Sequence, residues 1–181
     1  MKRIALLALL CAGCAPDNEL SGSLSELFPL EVSKVIVYRN QEAMKVQYLS
    51  NRGIYLDVVI DLTVNLEGVD PKDGAKIDLA GEYAPSHQRA EVEHAPGGEP
   101  NRILPNVKKG DLHIDHLGIG PVCDYDAGLP DGGIPCTAPD TSRGNFSILF
   151  SDDGSGDIGA GRTLVGTFVA PTLDAGYGFL P

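Results

Sequence analysis

Tryptophan is missing from this chain, and Phe and Tyr bring the aromatic share to only 6%. A platform of aromatic rings for stacking carbohydrate is therefore not expected. Positive charge is also short: 14 Lys and Arg face 25 Asp and Glu, a formal net charge of −11. That balance argues against nucleic acid and against bare anionic membrane surface, since both repel an acidic chain. No Gly-x-Ser-x-Gly elbow marks a hydrolase nucleophile, and no glycine loop opens a helix to cradle phosphate. There is no internal repeat and no helix-period stretch long enough for a coiled coil. The apolar run at residues 4–10 falls well short of the ~20 residues that a bilayer-spanning helix needs.

That same run belongs to the most specific feature present, the opening MKRIALLALLCAGC. Two cations (Lys2, Arg3), a short apolar middle and small residues up to Cys14 have the layout of a secretory signal. Ala12-Gly13-Cys14 resembles the lipobox of bacterial lipoproteins, with Cys11 standing where Leu is usual. The resemblance implies cleavage before Cys14 and a lipid on Cys14. Cys11 is the competing acceptor, but it would place bulky Leu9 and Leu10 at the cut. Residues 1–13 are thus expected to be a signal peptide. Loss of Lys2 and Arg3 leaves 12 cations against 25 acids, a net of −13.

With Cys11 removed and Cys14 acylated, two of the four cysteines remain, Cys123 and Cys136. In an exported chain such a pair is expected to form a disulfide. Closing a loop of that size would contribute ~3 kcal/mol in the chain-entropy picture. Two free thiols or half of a metal site is the alternative, although no second Cys/His pair stands nearby at zinc spacing.

Residues 14–30 mix Ser, Gly, Pro and polar positions and read as a lipidated cysteine followed by a flexible linker, with Phe28 and Leu30 as docking points. From residue 32 onward the hydrophobic period is two. In IYLDVVIDLTVNL (residues 54–66), Ile54, Leu56, Val58, Ile60, Leu62, Val64 and Leu66 share one face, and Tyr55, Asp57, Val59, Asp61, Thr63 and Asn65 lie on the other. This is a half-buried antiparallel strand. At ~3.3 Å per residue it is long enough that a bend or bulge is expected within it. Further strands are expected at 32–38, 43–50, 75–80, 90–94, 112–117, 146–151 and 163–170. Turn compositions separate them, and the short 50–53 gap marks a hairpin. The expected fold is all-β, an antiparallel two-sheet β-sandwich of about eight strands over residues 31–181. Residues 118–145, rich in Gly, Pro and Asp, break the pattern as a long loop clipped by the disulfide, suited to display.

Three clusters carry candidate chemistry. Ser151-Asp152-Asp153-Gly154-Ser155-Gly156-Asp157-Ile158 partly resembles an EF-hand calcium loop, but Ser151 and Arg162 occupy its first and twelfth positions, where carboxylates are needed. Asp124, Asp126 and Asp131 form a second acidic set inside the disulfide loop. Either set, with Asp152, Asp153 and Asp157 in the first, is a candidate site for a calcium-type cation, against the blander reading of solvated turns. In the third, Asp111, His113 and Asp115 share one strand face and His116 lies on the other with Leu112 and Ile114. The stretch resembles the His-x-His strand of copper–zinc superoxide dismutases, but the four histidines of the chain are too few for that family's ligand set.

The resulting expectation is a non-catalytic envelope lipoprotein, anchored through Cys14 in the outer membrane. It binds or supports an envelope partner through its loops or a sheet edge and carries no cofactor. A divalent-cation module is the alternative, and an enzyme around Asp111, His113 and Asp115 is a further one. The Asp/Gly/Pro-rich style of the cysteine loop is similar to lipoproteins of myxobacteria.

Overall fold

The computed structural model describes residues 17–52, 55–97, 99–123, 136–153 and 158–175. In chain order the strands are β1 (Glu19–Ser21), β2 (Lys34–Arg39), β3 (Ala43–Arg52), β4 (Tyr55–Asn65), β5 (Ala75–Asp78), β6 (Glu82–Ala84), β7 (His87–Gln88), β8 (Ala90–Ala95), β9 (Arg102–Ile103), β10 (Val107–His116), β11 (Thr141–Phe150) and β12 (Thr163–Asp174). A short 3₁₀ turn covers Ser23–Glu26, and there is no α-helix among the described residues.

The all-β expectation holds. In place of about eight strands in two separate sheets, ten strands form one large curled sheet, in the order β5-β10-β11-β12-β2-β3-β4-β8-β9 with β1 also on β12. Strand β12 joins the halves. Its residues 163–171 run antiparallel to β11, whereas Thr172, Leu173 and Asp174 pair in parallel with Val37, Tyr38 and Arg39 of β2. Pro171 sits at this changeover, where its missing N–H costs least. The halves share one apolar core. The Tyr48 hydroxyl, raised in pKa by burial, donates to the Thr167 carbonyl at 3.0 Å, and its ring meets Phe146 edge-on. Strands β6 and β7 form a separate hairpin, and Gln88 clips it to β10 by bonding both main-chain groups of Val107.

Strand β4 shows why the sequence pattern worked. Ile60, Leu62 and Val64 are fully buried, as the alternation requires. The expected irregularity is present and corrects the assignment of faces: Tyr48 pairs with Ile60 but Leu49 with Val58, so Val59 is the extra residue and is buried in the core, while Val58, expected on the core face, is only half-buried. The hairpin expected across 50–53 is formed by β3 and β4, which pair down to Arg52 and Tyr55.

The expected linker is a correction. From Asn18 onward it belongs to the domain. Glu19, Leu20 and Ser21 pair with Thr167, Gly166 and Val165, and Asn18 bonds both the N–H and the C=O of Val169. Leu20, Leu24 and Leu30 are buried in the core. Three buried leucines spaced through a polar segment are enough to hold it down, at ~1.5–3 kcal/mol for each. Cys14 itself lies outside the described residues.

The curled sheet has two ends. One carries the turns between β2 and β3 and between β4 and β5, together with residues 117–123 and 136–140 and the end of β12. The other carries residues 22–33, the paired ends of β3 and β4 at Arg52 and Tyr55, and residues 96–97 and 99–106.

Candidate interaction surface at the base of the disulfide loop

Cys123 and Cys136 are bonded to each other, as expected from export, and form an isolated antiparallel bridge that closes the loop. Below it the two loop legs run side by side. The Thr137 N–H donates to the Val122 carbonyl at 2.9 Å, the Val122 N–H donates to Thr137 Oγ1 at 2.9 Å, and the Asp140 N–H donates to the Ile119 carbonyl at 2.9 Å. Strand β11 begins at Thr141, so the loop is shorter than the expected 118–145.

The legs are seated on the end of β12. A Cβ on Gly118 would run into Thr172 Oγ1 and the Asp140 carbonyl, and one on Gly120 would crowd the Asp174 backbone at 2.9 Å. Glycine is what permits that approach. Underneath, the buried hydroxyls of Ser142 and Thr172 share a hydrogen bond of 2.6 Å, and the Gly118 N–H donates to Ser142 Oγ.

His116 completes the seat. Its Nδ1 lies 3.0 Å from Asp73 and its Nε2 3.2 Å from Asp140, tying the β4–β5 turn to the second loop leg. Hydrogen bonds from the Asp73 and Asp140 carboxylates hold the imidazole pKa above its ordinary value. Reciprocally, Asp73 is held low by His116 and the Leu117 N–H, and Asp140 by the Thr141 N–H and His116. The sequence placed His116 on the core face with Leu112 and Ile114. The structure corrects this, because β10 slips register between Ile114 and His116 and the bulge at Asp115 turns the ring outward.

Two large apolar side chains stand clear of this seat: Ile119 is 65% and Val122 62% exposed. They border a shallow cavity of about 400 Å³ with Arg39, Asn40, Leu173 and Ala175. At the opposite end of the sheet a second cavity, about 330 Å³, is lined by Leu27, Ser50, Asp57, Arg102 and the stacked rings of Phe28 and His94, whose centroids are 3.9 Å apart.

The other candidate residues do not come together. Asp111 pairs with Lys76 at 3.2 Å, while His113 pairs with Asp115 at 3.2 Å, so that face is solvated and already partnered. Asp152 pairs with Lys108 at 2.9 Å, an ion pair that holds its carboxyl low, and Asp153 accepts from Ser151 Oγ. Asp124, Asp126, Asp131 and Asp157 lie outside the described residues. Among the described residues no three His, Cys, Asp or Glu side chains are grouped so as to hold a metal ion.

One polar residue went unnoticed in the sequence as anything but surface. Asp61, on the outer face of β4, is only 7% exposed, and its Oδ1 has no hydrogen-bond partner among the described residues. Desolvation raises its pKa against the lowering effect of Lys45 at 3.7 Å and of Gln47. Nothing in the sequence signalled this, because the cover is supplied by neighbouring strands.

No family model matches the chain, and no curated protein or solved structure is significantly similar to it.

Proposed function

We propose that the chain is a non-catalytic envelope lipoprotein, anchored through Cys14 in the outer membrane. Its β-domain, a sandwich-like scaffold in which the two halves of the curled sheet stack, presents loops or a sheet edge to an envelope partner. The observation that carries the reading is the closed Cys123–Cys136 disulfide downstream of an export-type leader with the Ala12-Gly13-Cys14 tripeptide. A disulfide of this kind persists in an oxidising compartment. A rigid scaffold with exposed apolar side chains at loop and edge suits binding. Leu27, 45% exposed, supplies the loop and Ile103 on the β9 edge supplies the edge.

The absence of catalysis is supported by the partners already made. His116 has both ring nitrogens engaged, and the Ser142 hydroxyl is held by Thr172 and Gly118, so neither is poised as base or nucleophile.

Two measurements on protein taken from its own envelope test the reading. Mass analysis of the N-terminal peptide should find an acylated Cys14, and an unmodified Cys14 in the processed chain would overturn the anchor. Photo-crosslinking side chains placed at Ile103 and at Leu27 should yield a discrete adduct from at least one of them. No adduct from either would overturn the binding role, and stoichiometric calcium in the same preparation would replace it with the cation-module reading.

A further inference from the structure

We propose that Ile119 and Val122 rest on the bilayer to which Cys14 is attached, so that the disulfide-loop end of the domain faces the membrane and the opposite end faces away. The inference rests on the lipid-anchor reading above and adds an orientation to it.

The argument begins with chain direction. Strand β1 is antiparallel to β12, with Ser21 opposite Val165, Leu20 opposite Gly166 and Glu19 opposite Thr167, and Asn18 bonded to Val169. Followed back toward the N-terminus, the chain therefore advances along β12 toward Asp174. That is the end on which Gly118 and Gly120 seat the loop legs. Residues 14–18 can span at most ~14 Å, because four extended residue steps cover ~3.3–3.6 Å each. Val169 and Asp174 are separated by ~17 Å of strand. A lipid on Cys14 is thus held within one short tether of the loop end and cannot hold the domain far from the surface.

The second observation is the character of that end. Ile119 and Val122 are among the most exposed large apolar side chains described, and both border the same cavity at the loop base. Apolar side chains beside an acyl anchor fit the interfacial zone of a membrane, where a single acyl chain alone gives only weak attachment. The surrounding charge is balanced or acidic, with Asp73 and Asp140 bridged by His116 and Asp174 beside Arg39. The surface it fits is therefore zwitterionic lipid, since anionic headgroups would repel the chain.

The missing tryptophan supplies the test. Ile119→Trp and, as a control near the start of β12, Val165→Trp each introduce a single reporter into the full acylated chain, on vesicles of zwitterionic lipid with brominated acyl chains. Flotation reads the anchor and quenching reads the orientation. The chain should float, with the fluorophore at 119 quenched several-fold more than that at 165. Equal, weak quenching at both positions in a chain that floats would overturn the docking and leave the anchor standing. Protection of position 119 from aqueous acrylamide without quenching by lipid would also overturn it, in favour of a protein cover. A chain that is not acylated and does not float would overturn both. Hydrogen exchange at residues 119–122 of the unsubstituted chain, with and without vesicles, guards against disturbance by the new ring. Slowing on the vesicles supports the proposal and unchanged exchange overturns it.

Discussion

Ile60 and Asp61 are neighbours on β4 with opposite demands. Ile60 is fully buried among apolar side chains, so Ile60→Asp places an unpaired carboxylate in the core and should cost more than ~4 kcal/mol, enough to unfold the domain. Asp61 is also buried, but on the outer face and with one oxygen unpartnered. Its pKa is raised, so the folded state disfavours the carboxylate. That cost is absent below the unfolded value of 3.8, grows as the pH rises above it, and persists at neutrality. Asp61→Asn should therefore raise the melting temperature at pH 7, with the gain fading in acid. A lower melting temperature at pH 7 would show that the Lys45 and Gln47 contacts outweigh desolvation. The face of each residue was legible from the period of two, but the burial of Asp61 was not, because Lys45, Gln47 and Glu93 come from other strands. His116 gives the opposite sign. Its raised pKa stabilises most below 6.5, and the lowered Asp73 and Asp140 stabilise most above 3.8. His116→Ala should accordingly lower the melting temperature most between those two values, by a few degrees at most for so exposed a bridge. The difference should vanish in alkali and in strong acid, and a pH-independent difference would mean that the ring acts by packing alone.

Among the elements, the loop and the N-terminal segment were the two least regular stretches of sequence, and the fold treats them differently. The described legs of the loop are seated on the end of β12, whereas the N-terminal segment inserts Leu20, Leu24 and Leu30 into the core. Leu24→Ala should cost about 2–5 kcal/mol in chemical unfolding, as for other fully buried leucines. A cost near zero would mean that the segment is a tether after all. Reduction of Cys123–Cys136 should speed proteolytic nicking between Pro121 and Thr137 well before the sheet melts. If reduction melts the sheet at once, the loop is part of the core. The long strands were readable because β3, β4, β8 and the cores of β10, β11 and β12 repeat apolar residues at every second position. Strands β1, β6, β7 and β9 have only two or three residues each, too few to show a period. The early part of β10 was hidden by Lys108, Lys109 and Gly110, and the end of β12 by Pro171. None of these reads as strand, and each is held there by pairing with β11 or β2.

At the scale of the whole molecule, the proposed anchor at Cys14 would be joined to the domain by a short connection. Of the expected linker, only residues 14–17 precede the Asn18–Val169 contact. Among the described residues Leu20 is the first to enter the core. Among the described residues no helix is long and apolar enough to cross a membrane. Cys14→Ser should therefore abolish palmitate labelling and move the chain from the membrane to the soluble fraction, while its melting temperature stays that of a delipidated wild-type chain. The size of the effect follows from the anchor: acyl chains contribute ~0.8 kcal/mol per buried CH₂, whereas two exposed aliphatic side chains bury far less. The apolar loop end can orient an anchored domain but cannot retain an unanchored one. Labelling that persists in Cys14→Ser would move the acceptor to Cys11. Membrane retention without labelling would mean that protein contacts hold the domain in place, with the loop end as the first surface to search for them.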